Sequence, residues 1–300
     1  MPSFNIIDPL VWKLLISPYD RTIKKKEFDL ILSNVSLPVK LYEPILEEKV
    51  ILGRKWKKKH LTRYLIIRGP RSNINIKNRK LIIIFPGRNF NFFQRSNTKY
   101  FERFYKTNKL DDHDMAVIVY PKKVYNIDFL TKSCSIALAQ IFQHGYKFEN
   151  VSIMGWCLGG YIASESIKKY MESNNISPDD KFKCYINNKS FAGLNDFLYF
   201  ILPDMLRPIL KIWIVKKHVR VWEHDAADSF RKIESNFENC YVIFSQHDNI
   251  VKGLSHLYKH LDDLKEKIHI REDTDHSSHH PNWHLLAELF TETDEILQNS

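Results

Sequence analysis

The stretch Val151-Ser152-Ile153-Met154-Gly155-Trp156-Cys157-Leu158-Gly159-Gly160 decides how this chain is read. Val151–Met154 is a short apolar run of the kind that fills a buried strand, and Leu158–Asn174 continues with helical spacing. Between them lies only Gly-x-Cys-x-Gly-Gly. A strand that turns into a helix over so few residues brings the two backbones together and holds the central residue under strain, so small neighbours are needed. Gly155 and Gly159 stand at those places. Cys157 is thereby set at a helix N-terminus, where the helix dipole favours a thiolate and a nearby imidazole would favour it further. An inert buried cysteine in a tight turn is the structural alternative.

Working outward, Leu61–Ile67, Leu81–Phe85, Met115–Val119, Cys184–Ile186, Tyr241–Phe244 and Lys267–Ile270 read as further strands. Several are continuous apolar runs, as expected of strands buried on both faces. Helices are expected over Asn97–Leu110, from an Asp128 cap to about Gln143, over Leu254–Leu264, and from Pro281 to about Leu297. Alternating strands and helices imply an α/β fold with a mostly parallel sheet flanked by helices, because parallel neighbours need crossover connections. Functional groups are then expected at the carboxyl ends of the strands.

Composition agrees with a globular domain: 300 residues, 44% hydrophobic and 27% charged. One domain over 61–300 is expected, with a basic portion, 1–60, packed on it. The formal charge of +10 traces to residues 51–80, which hold eleven Lys or Arg and no acid. Such a run is attracted to phosphate, or simply protects a strand edge. Cys134, Cys157, Cys184 and Cys240 lack paired ligand spacing, which argues against zinc and against a disulfide framework. No metal or cofactor is expected. The N-terminus lacks a basic leader and a cleavage site, so no secretory signal is expected. The most apolar stretch, Phe197–Val215, is interrupted by Pro203, Asp204, Arg207, Pro208 and Lys211, so no transmembrane segment is expected either. The expectation is a cytoplasmic protein, or one delivered elsewhere without a recognisable signal, with a peripheral membrane position open to it.

The Gly-Trp-Cys-Leu-Gly-Gly block resembles the nucleophile elbow of the α/β-hydrolase superfamily, and its cysteine is similar to that of the dienelactone hydrolases. Other motifs resemble serine members with a cap insertion. Phe85-Pro86-Gly87-Arg88 matches the turn whose backbone completes an oxyanion hole, which implies donors at Arg88 and Leu158. Asn187-Asn188-Lys189-Ser190-Phe191 resembles an Asp-Arg-Ser-Phe-like segment of lipase-like members, departing from it at Asn188 and Lys189.

The superfamily order of nucleophile, acid and histidine implies Asp248 as the acid, in Ser245-Gln246-His247-Asp248-Asn249-Ile250-Val251. A helix-capping aspartate is the plainer reading of it. The histidine is sought among His276, His279 and His280 after the last strand. His276 is preferred for its distance from that strand and its Asp275-His276-Ser277 setting, with His279 the rival and a solvated histidine cluster the alternative.

About fifty residues separate the sixth strand from Tyr241, and Phe197–Trp222 is rich in aromatic and branched residues. An apolar helical cap over about 190–236 is expected, either a lid for a small-molecule or lipid-like acyl substrate or a helical pair with its own core. The function these readings imply is hydrolysis of esters or thioesters through a covalent acyl-enzyme. Acyl transfer to an acceptor other than water would use the same residues. The alternative is a catalytically weak or inactive hydrolase-fold binding module with lipid or protein partners. Contact with an anionic membrane through 51–80 and 211–220 is a further expectation, and nucleic acid is not expected as a partner.

Overall fold

A computed structural model of the chain describes residues 39–42, 61–70, 75–87, 110–121, 124, 126–202, 204–212, 219–264, 269–271 and 283–291. The strands are β1 (Val39–Tyr42), β2 (Arg63–Ile67), β3 (Lys80–Phe85), β4 (His113–Val119), β5 (Val151–Trp156), β6 (Phe182–Asn188), β7 (Phe237–Phe244) and β8 (His269–Arg271). The helices are α1 (Ile127–Phe142), α2 (Leu158–Asn174), α3 (Leu194–Ile201), α4 (Ala226–Glu234) and α5 (Trp283–Thr291). The eight strands form one sheet in the order β1-β2-β4-β3-β5-β6-β7-β8. β2 runs antiparallel to β1 and β4, and every other pairing is parallel.

Side chains alternate across a strand, so a strand covered on both faces must be apolar at every position. In β3, Leu81, Ile83 and Phe85 enter one core with α1, α2 and α4, while Ile82 and Ile84 enter a second with Leu286, Leu289 and Phe290 of α5. β4 divides likewise, with Ala116 and Ile118 on the first face and Met115 and Val117 on the second. This two-sided burial explains why the central strands read as unbroken apolar runs.

Three sequence expectations change. α1 is capped by Asn126, whose side chain accepts from Phe129 N at 2.7 Å, and Asp128 lies in its first turn. In place of a helix over Leu254–Leu264 there are three short 3-10 turns. The reason is that backbone groups needed for an α-helical ladder bond to the segment after β6: Ala192 N donates to Ser255 O at 2.9 Å and Leu257 N to Ser190 O at 3.0 Å. β1, which the sequence did not suggest, pairs from Val39↔Ile67 to Tyr42↔Tyr64. Of the helix expected over Asn97–Leu110, only Leu110 falls among the described residues. Within the stretch expected as cap, α4 packs Ala226, Ala227, Phe230 and Ile233 into the first core.

At the amino ends of the central strands, one buried carboxylate ties several elements together. Asp114 of β4 accepts from Gly69 N at 2.9 Å, Arg68 Nη1 at 2.6 Å, Arg79 Nε at 2.8 Å and Tyr146 Oη at 2.7 Å, with a further bond from Arg79 Nη2. These donors follow β2 and precede β3 and β5. The end of the sheet away from Cys157 is thus fixed by an internal ion pair.

Candidate active site

Cys157 sits between β5 and α2 with φ +52° and ψ −118°. This is a backbone conformation that L-residues adopt only when the surroundings enforce it, at a cost of about 1–3 kcal/mol. The enforcement is visible. Cys157 N donates to Asn188 O of β6 at 2.8 Å, and its own carbonyl accepts from Gly160 N at 3.0 Å and Tyr161 N at 3.3 Å, the first turn of α2.

The flanking glycines are required by close approach. A Cβ on Gly155 would lie 2.5 Å from Gly160 Cα, and one on Gly159 would fall on the Phe85 carbonyl. Gly155 therefore lies where β5 and α2 close upon each other, at Gly160, whereas Gly159 brings the start of α2 against the end of β3.

The turn after β3 lies against the same cysteine. A Cβ on Gly87 would stand 3.3 Å from Cys157 Cβ, and Tyr120 Oη donates to Pro86 O at 3.1 Å, holding the turn in place. Leu158 is buried at the first position of α2, and its N–H finds no acceptor among the described residues. An amide at that position points out of the helix N-terminus, where it favours negative charge. Arg88, the other expected donor, lies outside the described residues.

Asp248 follows β7 and is buried. One carboxylate oxygen accepts from Ile250 N at 2.9 Å and Val251 N at 2.7 Å, so it organises its own loop whatever else it does. Parallel neighbours are about 4.8 Å apart, so the ends of β5 and β7 are separated by about 10 Å with β6 between them. Cys157 and Asp248 leave the same edge of the sheet, two strands apart. β8 is parallel to β7 and next to it, so its carboxyl end lies on the same side of the sheet. His276, His279 and His280 follow it in the sequence and lie outside the described residues.

Two features of the site carry no functional expectation from the sequence. The Asn188 side chain is buried beside the Cys157 turn, and its Oδ1 has no hydrogen-bond partner among the described residues. A buried carbonyl oxygen left in that state costs free energy that an incoming donor would recover. Tyr161 of α2 stacks on Phe191 at 4.6 Å, meets the tilted His224 ring at 3.9 Å, and donates to Trp222 O at 2.8 Å, which ties the segment after α3 to α2.

All four cysteines are free. Burial pushes the Cys134 thiol up to about 12 and raises Cys184 and Cys240 as well, so these three are held protonated. Among the described residues no group of three or more His, Cys, Asp or Glu is arranged to hold a metal ion. No described helix is long and apolar enough to cross a membrane.

No family model matches the chain, and no curated protein matches its sequence. Solved structures do match. An esterase of Pyrococcus furiosus superposes with a TM-score of 0.55 at 12% identity, covering 86% of this chain and 92% of that one. A second crystal form of that esterase gives 0.50 at 12% identity, covering 82% and 84%. The hyperthermophilic esterase of the archaeon Pyrobaculum calidifontis gives 0.49 at 14% identity, over 92% and 91%. With the strand order, the antiparallel second strand and the strand-turn-helix around Cys157, the comparison defines the class: the chain has the α/β-hydrolase fold.

Proposed function

We propose that the chain hydrolyses carboxylic esters or thioesters, with Cys157 as nucleophile, His276 as general acid and base, and Asp248 as the residue that orients the imidazole. The observation that carries the reading is the enforced conformation of Cys157 at +52°, since strain of this kind is held where a side chain must be presented. That the neighbours in structure are esterases supports the choice of chemistry.

In this reading the Cys157 thiolate attacks the acyl carbonyl, and the oxyanion is met by the N–H of Leu158 and that of Arg88. Each such donor is worth about 3 kcal/mol of transition-state stabilisation. The carbon–oxygen or carbon–sulfur bond to the leaving group then breaks, and the leaving group takes a proton from the His276 imidazolium. The imidazole next removes a proton from water as the water oxygen attacks the thioester of the acyl-enzyme, releasing the carboxylic acid and returning the proton to the thiol. Asp248, with one oxygen already committed to its own loop, would hold the imidazole through the other. A small-molecule or lipid-like acyl group is the substrate class, taken up beneath the segment around α3.

Pre-steady-state release of p-nitrophenol from short- and long-chain esters tests this. A burst that scales with enzyme concentration, lost in Cys157→Ala and slowed in His276→Ala and Asp248→Asn, is the expected result. Absence of turnover in every variant and the parent alike leaves a binding module on a hydrolase scaffold.

A further inference from the structure

α3, the 3-10 turn after it and the Gly253–Ser255 turn carry large apolar side chains that the fold leaves in water. Met205 is 83% exposed and Leu254 64%, and Tyr199, Ile209 and Ile212 are exposed as well. Single exposed apolar residues are ordinary, whereas neighbours that share a face mark an interaction site. Here the neighbours are linked. The Arg207 guanidinium lies 4.8 Å over the Tyr199 ring, and its Nε donates to Tyr199 O at 2.8 Å, which joins the 3-10 turn Asp204–Lys211 to α3. Tyr199 meets Phe200 edge-on at 5.4 Å, and the Phe200 ring lies against Gly253, next to Leu254.

The sequence of this stretch is mainly basic. Asp204 is the sole acid between residues 197 and 222, against five Lys or Arg. It is already paired with Arg207 at 2.6 Å. Lys211 beside Ile212, and Lys252 beside the Gly253–Ser255 turn, are exposed. An apolar centre with exposed lysines at its margin is complementary to a surface with anionic groups outside and hydrocarbon beneath, where lysine heads stay in water. A protein partner of high affinity would more commonly present buried aromatic anchors and a satisfied polar rim.

We propose that Tyr199, Met205, Ile209, Ile212 and Leu254, with Lys211 and Lys252, form a docking face for an anionic lipid bilayer. The inference stands apart from the hydrolase reading, because it rests on exposure and charge and uses none of the groups assigned to catalysis. If both hold, the face brings the segment over the strand ends to the lipid surface.

The test is co-sedimentation of the full chain with vesicles of phosphatidylcholine alone and of phosphatidylcholine with phosphatidylserine, at low and raised salt. Each lysine near an anionic surface adds about fivefold to partitioning. The expected result is binding to the phosphatidylserine vesicles that weakens with salt, falls about fivefold or more in Lys211→Glu, and falls about tenfold in Met205→Asp. Leu254→Asp, on a separate turn, repeats the test should Met205→Asp alter the far-ultraviolet dichroism. No binding to either vesicle overturns the proposal, and so does equal binding by parent and variants. A concentration-dependent dimer that Met205→Asp dissociates in light scattering, without vesicle binding, assigns the face to a second copy and overturns it equally.

Discussion

Removing the charge of Asp114 should cost more than removing almost any other polar group in the molecule. Its side chain is wholly buried, and Arg79, which pairs with it, is 2% exposed. Asp114→Asn keeps the shape but strands the Arg79 guanidinium in the core, and breaking a buried pair from one side costs about 3–5 kcal/mol. Arg68, 30% exposed, can turn toward water and adds little to the loss. With a urea m-value of about 3 kcal/mol/M the unfolding midpoint should drop by about 1–1.7 M. Arg79→Met combined with Asp114→Leu removes both charges together, so it should cost clearly less than the two single changes added, with a coupling of about 2 kcal/mol. The pH dependence follows from the same contacts. Burial alone pushes the Asp114 carboxyl up, but the bonds from Arg79, Gly69 N, Tyr146 and Arg68 outweigh it and leave it below its ordinary value. A carboxyl depressed on folding contributes its stability above its unfolded value, about pH 4, and loses it as pH falls further. Urea titrations of the parent, both single variants and the double variant, at neutral and acid pH, measure all of this. An Asp114→Asn loss below about 1 kcal/mol, or an additive cycle, would refute the reasoning.

Gly159→Ala forces a methyl into the Phe85 carbonyl, backbone against backbone, and is expected to destabilise by about 2–3 kcal/mol in the same assay. Cys157→Gly removes the strain at +52° and should raise the thermal midpoint by about 2–4 °C while abolishing any thiol chemistry; a lowered midpoint would show that the conformation is not strained. Burial draws His224 down to about 4, against the pull of Glu165. Its folded value lies below the ordinary one, so stability is lost as pH falls from about 6.5 toward 4, where the unfolded chain takes the proton first. His224→Phe, which can keep the stack on Tyr161, should flatten that part of the stability profile; an unchanged acid limb would show that His224 does not govern it.

The strand-turn-helix around Cys157 was legible because its physics restricts residue type at fixed spacing. Strand, strained centre and close-packed helix start leave room for little besides glycine at 155 and 159, and the local sequence shows it. The central strands were legible for a similar reason, since burial on both faces demands apolar residues throughout. What escaped was set by distant contacts. Leu257 and Leu261 are both buried and spaced as in an α-helix, yet the bonds from Leu257 N and Ala192 N decide for 3-10 turns. Asp114 closes the polar stretch Asp111-Asp112-His113 and precedes the apolar run Met115–Val119, and its partners Arg68, Arg79 and Tyr146 are far from it in sequence. β1 is a four-residue edge strand whose pairing leaves no local pattern. Three histidines within five residues carry no periodicity that would choose among them, so His276 over His279 rests on loop length and neighbours.

The central claim is that Cys157 carries an acyl group during turnover, and intact mass after rapid acid quench measures it. The chain would be mixed with a p-nitrophenyl ester or an acyl thioester and digested for peptide mapping. The account predicts one added acyl mass, on the peptide containing Cys157, present in the parent, absent in Cys157→Ala and accumulating in His276→Ala if deacylation slows more than acylation. Cys134, Cys184 and Cys240, protonated by burial, should stay unmodified. Turnover without any adduct on Cys157, or an adduct that persists in Cys157→Ala, would contradict the account.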